Sequence, residues 1–229
     1  MQLPLYQYML ITQQSLAPLT AFAPHWQLPF WHTVWQDAAA VNALKQLVLE
    51  QEPLLIEEFR DRHHHHGGTG LGADSLTAQY RFYNLFHRYA HEPAVAALQA
   101  TIAHSHKAML AALALPPTPC VIMGWANVLR QDQQIKAHNH GAKEFSYLSG
   151  NLCLGDYATD TVYANPWDPQ VTYPQPSQRG SLTLFPSALT HWVTEFHHLE
   201  PRVTVAWDIL PVDLCPLNPP LEGYTRVAL

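Results

Sequence analysis

Two histidines, His138 and His140, stand two residues apart in the segment IKAHNHGAKEFSYLSGNLCL. In an extended chain, residues i and i+2 point to the same face, so both imidazoles can reach one ion. Imidazole nitrogen suits Zn, Fe, Cu and Ni alike, so the pair suggests a metal without naming it. The flanking Lys136, Asn139, Gly141 and Lys143 allow another reading, a polar surface loop. His191 weighs against the loop. It follows Phe185-Pro186-Ser187 and lies between apolar Leu189 and Val193. A lone histidine on such a strand is usually a hydrogen-bonded core residue. Beside a pair that lacks a third ligand it becomes a candidate donor. A second H-x-H, His104 and His106, falls in a stretch with helical spacing. Residues two apart on a helix do not share a face, so that pair is not expected to chelate.

Arg202 opens the run Arg202-Val203-Thr204-Val205-Ala206-Trp207, which is rich in strand formers. A guanidinium on a mostly buried strand is costly unless it meets an anion. Its fork matches a carboxylate bidentately, and Thr204, two residues on, shares its face. The alternative is an edge-strand arginine paired with Glu195 or Glu200.

Taken together, Trp125-x-Asn127-Val128, His138-x-His140, Leu148-Ser149-Gly150-Asn151, Phe185-Pro186-Ser187, His191-x-Val193 and Arg202-x-Thr204 form an ordered set. The set resembles the Fe(II)/2-oxoglutarate-dependent oxygenase superfamily, in its bacterial and phage branch with an H-x-H, S-G and F-P-S-x-x-x-H-x-V pattern. The resemblance covers Val121 to Leu210. It implies a double-stranded β-helix (jelly-roll) core. It also implies Fe(II) held by His138, His140 and His191, and 2-oxoglutarate held at its far carboxylate by Arg202 and Thr204. Asn127 and Asn151 fall on the same cofactor wall, with Trp125 and Tyr163, and no catalytic group is expected beyond the metal centre. The implied reaction couples decarboxylation of the keto acid, to succinate and CO2, to hydroxylation of a small-molecule or peptidyl substrate.

Two departures from the family pattern stand out. The superfamily's middle ligand is a carboxylate, and here it is His140. Three neutral imidazoles leave the site one negative charge short, which the dianionic cosubstrate, or Glu144, Asp156 or Asp160, could offset. Three-histidine iron sites also occur in cupin-type oxygenases that need no 2-oxoglutarate. That leaves a cupin-like dioxygenase or isomerase as an alternative, and a non-enzymatic jelly-roll binding protein as another. The second departure is Cys153, where a tyrosine is expected two same-face strand positions from the Ser-Gly pair.

Composition bounds the rest. With 229 residues and 48% hydrophobic content, the chain suits one domain. Its expected parts are an N-terminal arm and helices over 1–115, a jelly roll over 116–210 and a tail over 211–229. The formal net charge is -6, with only 12 Lys and Arg and no basic run, which argues against a nucleic-acid partner. Cys120, Cys153 and Cys215 are odd in number and apolar in setting, as expected of reduced core thiols in the cytoplasm. The first residues lack a basic leader, and no apolar run approaches the roughly 18 residues of a membrane span.

The elements that must position these residues follow from periodicity. Residues 1–35 show little, and Pro4, Pro18, Pro24 and Pro29 with three tryptophans suggest an irregular arm packed across the barrel. Asp37 can cap a helix to Gln51, with Val41, Leu44, Leu47 and Val48 on one face. Pro53 would end it, leaving Leu54-Leu55-Ile56 as a short strand. His63 to His66 and the glycines after them read as a surface or lid loop, because consecutive side chains do not converge on one ion. A second helix is expected from Asp74 or Ser75 to Tyr89, and a third from Pro93 to Leu113. Beyond Pro116, β-rich runs at 119–130, 145–154, 160–164, 181–186, 190–196 and 202–210 predict an antiparallel barrel or sandwich. Asn165-Pro166 and Pro174 to Gly180 read as loops, and the tail from Pro211 as an extended outer segment.

Overall fold

The computed structural model describes residues 8–62, 69–217 and 225–229. In chain order the elements are β1 (Tyr8–Gln14), β2 (Gln27–Val34), α1 (Ala38–Glu58), a 3-10 helix (Leu76–Arg81), α2 (Leu85–Arg88) and α3 (Pro93–Ala112). The strands β3 (Cys120–Leu129), β4 (Gln133–His138), β5 (Leu148–Cys153), β6 (Tyr157–Ala164), β7 (Thr172–Ser177), β8 (Ser181–Pro186), β9 (His191–Phe196) and β10 (Arg202–Pro211) follow. A second 3-10 turn (Val212–Leu217) and β11 (Val227–Ala228) end the chain.

The strands form two antiparallel sheets, β1-β2-β8-β5-β10-β3-β11 and β4-β9-β6-β7. From β3 to β10 the chain passes repeatedly from one sheet to the other, which makes a double-stranded β-helix. Alternation along β10 shows how the sequence serves both faces. Arg202, Thr204, Ala206 and Asp208 face the cavity between the sheets. Val203, Val205, Trp207 and Ile209 face the other way, into the core shared with the helices. Leu44, Val48 and Leu55 of α1, with Leu98, Ile102 and Met109 of α3, complete that core. Gly150 on β5 lies opposite Trp207. A Cβ there would sit 2.5 Å from the indole, so the glycine of the Ser-Gly pair lets Trp207 lie across β5.

The β-rich runs after residue 119 became β3, β5, β6, β8, β9 and β10, and the third helix became α3. Elsewhere the expectations need correction. The N-terminal arm is partly a hairpin, β1 and β2, which extends the large sheet beside β8. Pro29 is tolerated in β2 because β8 pairs only with Trp31 to Val34, so one side of Pro29 carries no ladder. The helix at Asp37 does not stop at Pro53 but runs on to Glu58, which removes the expected 54–56 strand. Proline costs one helical hydrogen bond. Packing outweighs it: Leu55 and Phe59 are buried just beyond, and buried Glu52 takes both terminal nitrogens of Arg130 at 2.8 Å.

The second expected helix is two short pieces. They break at Asn84, whose side chain accepts from Gly124 and Phe86 amides and donates to the Ile122 carbonyl. Docking onto β3 takes precedence over continuous helix. The loop expected at Pro174 is the edge strand β7, where proline needs no outer partner. In the tail, β11 pairs with β3. The three cysteines are free, but Cys215 is only half-buried. His63 to His66 lie outside the described residues. No described helix is long and apolar enough to cross a membrane.

Candidate metal centre

His138 ends β4 and His191 begins β9, and the two face each other in register. His140 lies just past β4, where its amide donates to the Ser187 carbonyl at 2.9 Å. That bond ties the loop to the Phe-Pro-Ser turn and brings the third ring in. Ring centroids are 4.4 Å apart for His138 and His191, 5.0 Å for His140 and His191, and 5.4 Å for His138 and His140. One donor atom from each lies within 4.8 Å of the others. Metal–nitrogen bonds of about 2.0–2.1 Å at right angles need donors roughly 3 Å apart, a small rotation away.

The three rings share one orientation logic. His138 Nδ1 lies 2.8 Å from the Lys136 carbonyl and His191 Nδ1 lies 3.0 Å from the Leu189 carbonyl. A carbonyl only accepts, so both Nδ1 atoms carry hydrogen and both Nε2 lone pairs are left for an ion. His140 Nδ1 meets the Asp208 carboxylate at 2.6 Å, which orients it the same way. Burial lowers the pKa of His138, and it holds His191 well below the usual histidine value, helped by the other two rings. Both shifts favour the neutral imidazole that a metal donor requires.

Asp208 is the group sequence reasoning missed. Its Oδ1 also accepts from Ser149 at 2.6 Å. Neither Glu144, Asp156 nor Asp160 joins the three histidines. A carboxylate stands instead behind His140, hydrogen-bonded to its Nδ1. A signal for it existed: Arg202, Thr204 and Asp208 all share one parity in an otherwise apolar strand.

Arg202 is 2% exposed, on a strand flanked by β5 and β3, so it is not an edge-strand arginine. Glu195 and Glu200 do not pair with it. Its Nη2 donates to Ser177 Oγ at 3.1 Å and to Thr161 Oγ1 at 3.4 Å. Among the described residues, Nε and Nη1 are buried with no protein partner. Thr204 lies beside Asn127, whose Nδ2 approaches Thr204 Oγ1 at 3.5 Å while Oδ1 accepts from Thr77 at 2.8 Å. Asn151 donates to the Tyr163 hydroxyl at 3.1 Å. Cys153 pairs with Thr204 on the neighbouring strand. Tyr157 of β6 lies with its ring 6.0 Å from the Arg202 guanidinium, and its hydroxyl accepts from the Val203 amide, but it does not line the cavity that holds the histidines.

The three histidines, Arg202, Thr204 and Asn127 line one cavity of about 600 Å³. Its imidazole cluster can hold a divalent ion, and its orphaned guanidinium nitrogens fit a carboxylate. Asp132, Glu195 and His197 form another possible ligand group. All three are exposed, where such groupings are common without an ion.

No family model matches the sequence, and no curated protein does. Solved structures do match. A Pseudomonas putida prolyl-4-hydroxylase superposes with a TM-score of 0.52 at 11% identity, over 80% of this chain and 92% of that one. AviO1 from Streptomyces viridochromogenes Tue57 gives 0.52 at 12%, over 80% and 90%. SnoK, a non-heme alpha-ketoglutarate-dependent carbocyclase from nogalamycin biosynthesis, gives 0.51 at 13%, over 86% and 91%. The chain shares its double-stranded β-helix fold with these structures. Within that fold the three histidines, Asp208 and Arg202 lie between the two sheets of the jelly roll.

Proposed function

We propose that the chain is a non-haem Fe(II)- and 2-oxoglutarate-dependent oxygenase that hydroxylates a small-molecule or peptidyl substrate. His138, His140 and His191 would hold the iron, and Arg202 and Thr204 the far carboxylate of the keto acid. The observation that carries the reading is Arg202. A guanidinium this deeply buried, with two nitrogens lacking an acceptor among the described residues, leaves charged donors unsatisfied at a cost of about 1–3 kcal/mol or more each. A diacid anchored near the imidazoles supplies the missing acceptors. Burial pulls the pKa of Arg202 down, yet guanidinium keeps its proton near neutral pH. The cosubstrate is thus recognised by charge.

Bound iron with 2-oxoglutarate supplies the oxidising chemistry. The protein's residues orient and tune it. The Lys136 and Leu189 carbonyls and Asp208 fix the ring orientations. The Asp208 carboxylate makes the His140 imidazole a stronger donor and supplies the charge that a carboxylate ligand would otherwise bring. Thr77 holds Asn127, and Asn127 approaches Thr204. With its oxygen facing an amide donor, the Thr204 hydroxyl hydrogen is free for a carboxylate. Phe185 and Trp125 pack against the imidazoles and keep water off that side.

Three imidazoles alone would equally suit a cupin-like dioxygenase that ignores the keto acid. Arg202 favours the first reading. Succinate production by anaerobically purified, iron-loaded protein given 2-oxoglutarate and air tests it. Succinate should form and should fall to the metal-free baseline in His191→Ala. Iron binding without any succinate, with or without added substrates, would favour the cupin-like reading.

A further inference from the structure

Among the described residues, the charged side chains lining the cavity besides the imidazoles are Arg81, Arg202 and Asp208. Asp208 is engaged by His140 and Ser149, and Arg202 is buried beside Ser177 and Thr161. Arg81 is different. It ends the 3-10 helix, half-buried, with Nε donating to the Tyr80 hydroxyl and its guanidinium 5.2 Å from the Tyr80 ring centre. Among the described residues its terminal nitrogens have no protein acceptor, and no carboxylate pairs with it. In a chain with 18 acidic residues against 12 Lys and Arg, a cation kept clear of every described carboxylate at a cavity wall calls for an explanation.

The wall continues inward from Arg81. The Tyr80 ring packs on Trp125 at 5.5 Å, and Trp125 packs on His140 at 5.3 Å. The order is therefore a guanidinium, a phenol, a buried indole and then an imidazole of the metal centre. Thr77, on the same 3-10 helix, bonds Asn127 of β3, so this helix is tied to the sheet that carries the site. An arginine braced by an aromatic ring has no ion pair to break when an anion arrives, and its fork suits carboxylate or phosphate bidentately.

We propose that Arg81 recognises the substrate of this site, pairing with a carboxylate or phosphate group whose planar or apolar body lies along Tyr80 and Trp125 toward the imidazoles. The proposal rests on the oxygenase reading only in taking the metal centre as the reacting end. Arg81 serves substrate choice, and Arg202 serves the cosubstrate.

Calorimetry with two matched probe pairs tests it: N-acetyl-phenylalanine against its amide, and phenyl phosphate against phenol. Each is titrated into anaerobic protein loaded with Fe(II) and saturated with 2-oxoglutarate. At least one anion should bind about tenfold or more tightly than its neutral partner. Arg81→Gln should remove the preference, Arg81→Lys should keep part of it, and 2-oxoglutarate affinity should be the same in all three proteins. The pair that discriminates separates carboxylate from phosphate. Failure of both anions to bind, equal binding within both pairs, a preference that survives Arg81→Gln, or loss of 2-oxoglutarate binding in that variant would each overturn the proposal. If wild-type protein does not bind 2-oxoglutarate, the oxygenase reading fails separately. The same comparison is then made on metal-loaded Arg202→Met protein, where Arg81 is left as the cavity's guanidinium, and the same preference decides.

Discussion

Replacing Arg202 with methionine should separate cosubstrate binding from folding, because the two effects have opposite signs. Among the described residues the guanidinium makes one hydrogen bond of 3.1 Å and a marginal one of 3.4 Å, and Nε and Nη1 have no partner. A carboxylate meeting that fork gains two charge-assisted bonds, each contributing about 1.5–3 kcal/mol. Their loss amounts to roughly 3–6 kcal/mol, or about a hundredfold to ten-thousandfold in 2-oxoglutarate Kd. The resting protein should not suffer. Exchanging an under-satisfied buried charge for an apolar side chain of similar length is neutral or stabilising, by up to about 1–4 kcal/mol. Anaerobic calorimetry on iron-loaded protein reads the first effect, and urea unfolding of the metal-free chain reads the second. Wild-type affinity in the variant would refute the anchoring role. A metal-free variant destabilised by about 3 kcal/mol or more would refute the claim that Arg202 lacks partners at rest.

Asp208→Asn keeps an acceptor for His140 but removes the charge, so iron affinity should fall about 10- to 100-fold; competition against a chelator measures it, and unchanged affinity contradicts the role given to Asp208. Gly150→Ala forces a methyl into the Trp207 indole and should cost about 1–3 kcal/mol by urea unfolding, whereas a neutral result would mean that the indole moves freely. His106 is buried against the Tyr147 hydroxyl at 2.9 Å, and burial, then Lys107, lowers its pKa below 6.5. The unfolded chain therefore takes up this proton first as pH falls. The contribution is fully present above about pH 6.5 and is lost below it, at up to about 1.4 kcal/mol per pH unit. Metal-free wild type should lose more stability between pH 7 and 5.5 than His106→Gln, and parallel losses would refute the assignment.

How much the sequence revealed depended on the range of the interaction. His138, His140, His191, Arg202 and Thr204 stood out in the sequence because each motif is local: two residues apart, or a polar group in an apolar run. The cavity brings all five together. Asp208 was missed because its partners His140 and Ser149 lie 68 and 59 residues away: the register of β10 against β5 brings Ser149 to it, and the loop after β4 brings His140. Six of the jelly-roll strands, β3, β5, β6, β8, β9 and β10, were legible from alternation and turn residues, whereas β4 was not among the expected runs and proline-rich β7 was read as a loop. The β1–β2 hairpin was not, since its prolines and mixed burial hide the period, and its pairing with β8 is distant in sequence. Helix α1 outlasted Pro53 because Glu52 and Leu55 pack against residues the local sequence does not show. Arg81 carries no motif, and only the Tyr80–Trp125–His140 stack gives it meaning.

The most direct test of the central claim is a paired anaerobic titration of 2-oxoglutarate into metal-free and Fe(II)-loaded protein, with the loaded stoichiometry of iron measured first. One iron per chain should bind, and it should be lost in His191→Ala. The keto acid should bind the loaded protein at one equivalent and the metal-free protein far more weakly, since one end then has only Arg202 and Thr204 to hold it. Equal binding to both forms, or an undiminished equivalent of iron in His191→Ala, would contradict a metal centre built on these three histidines.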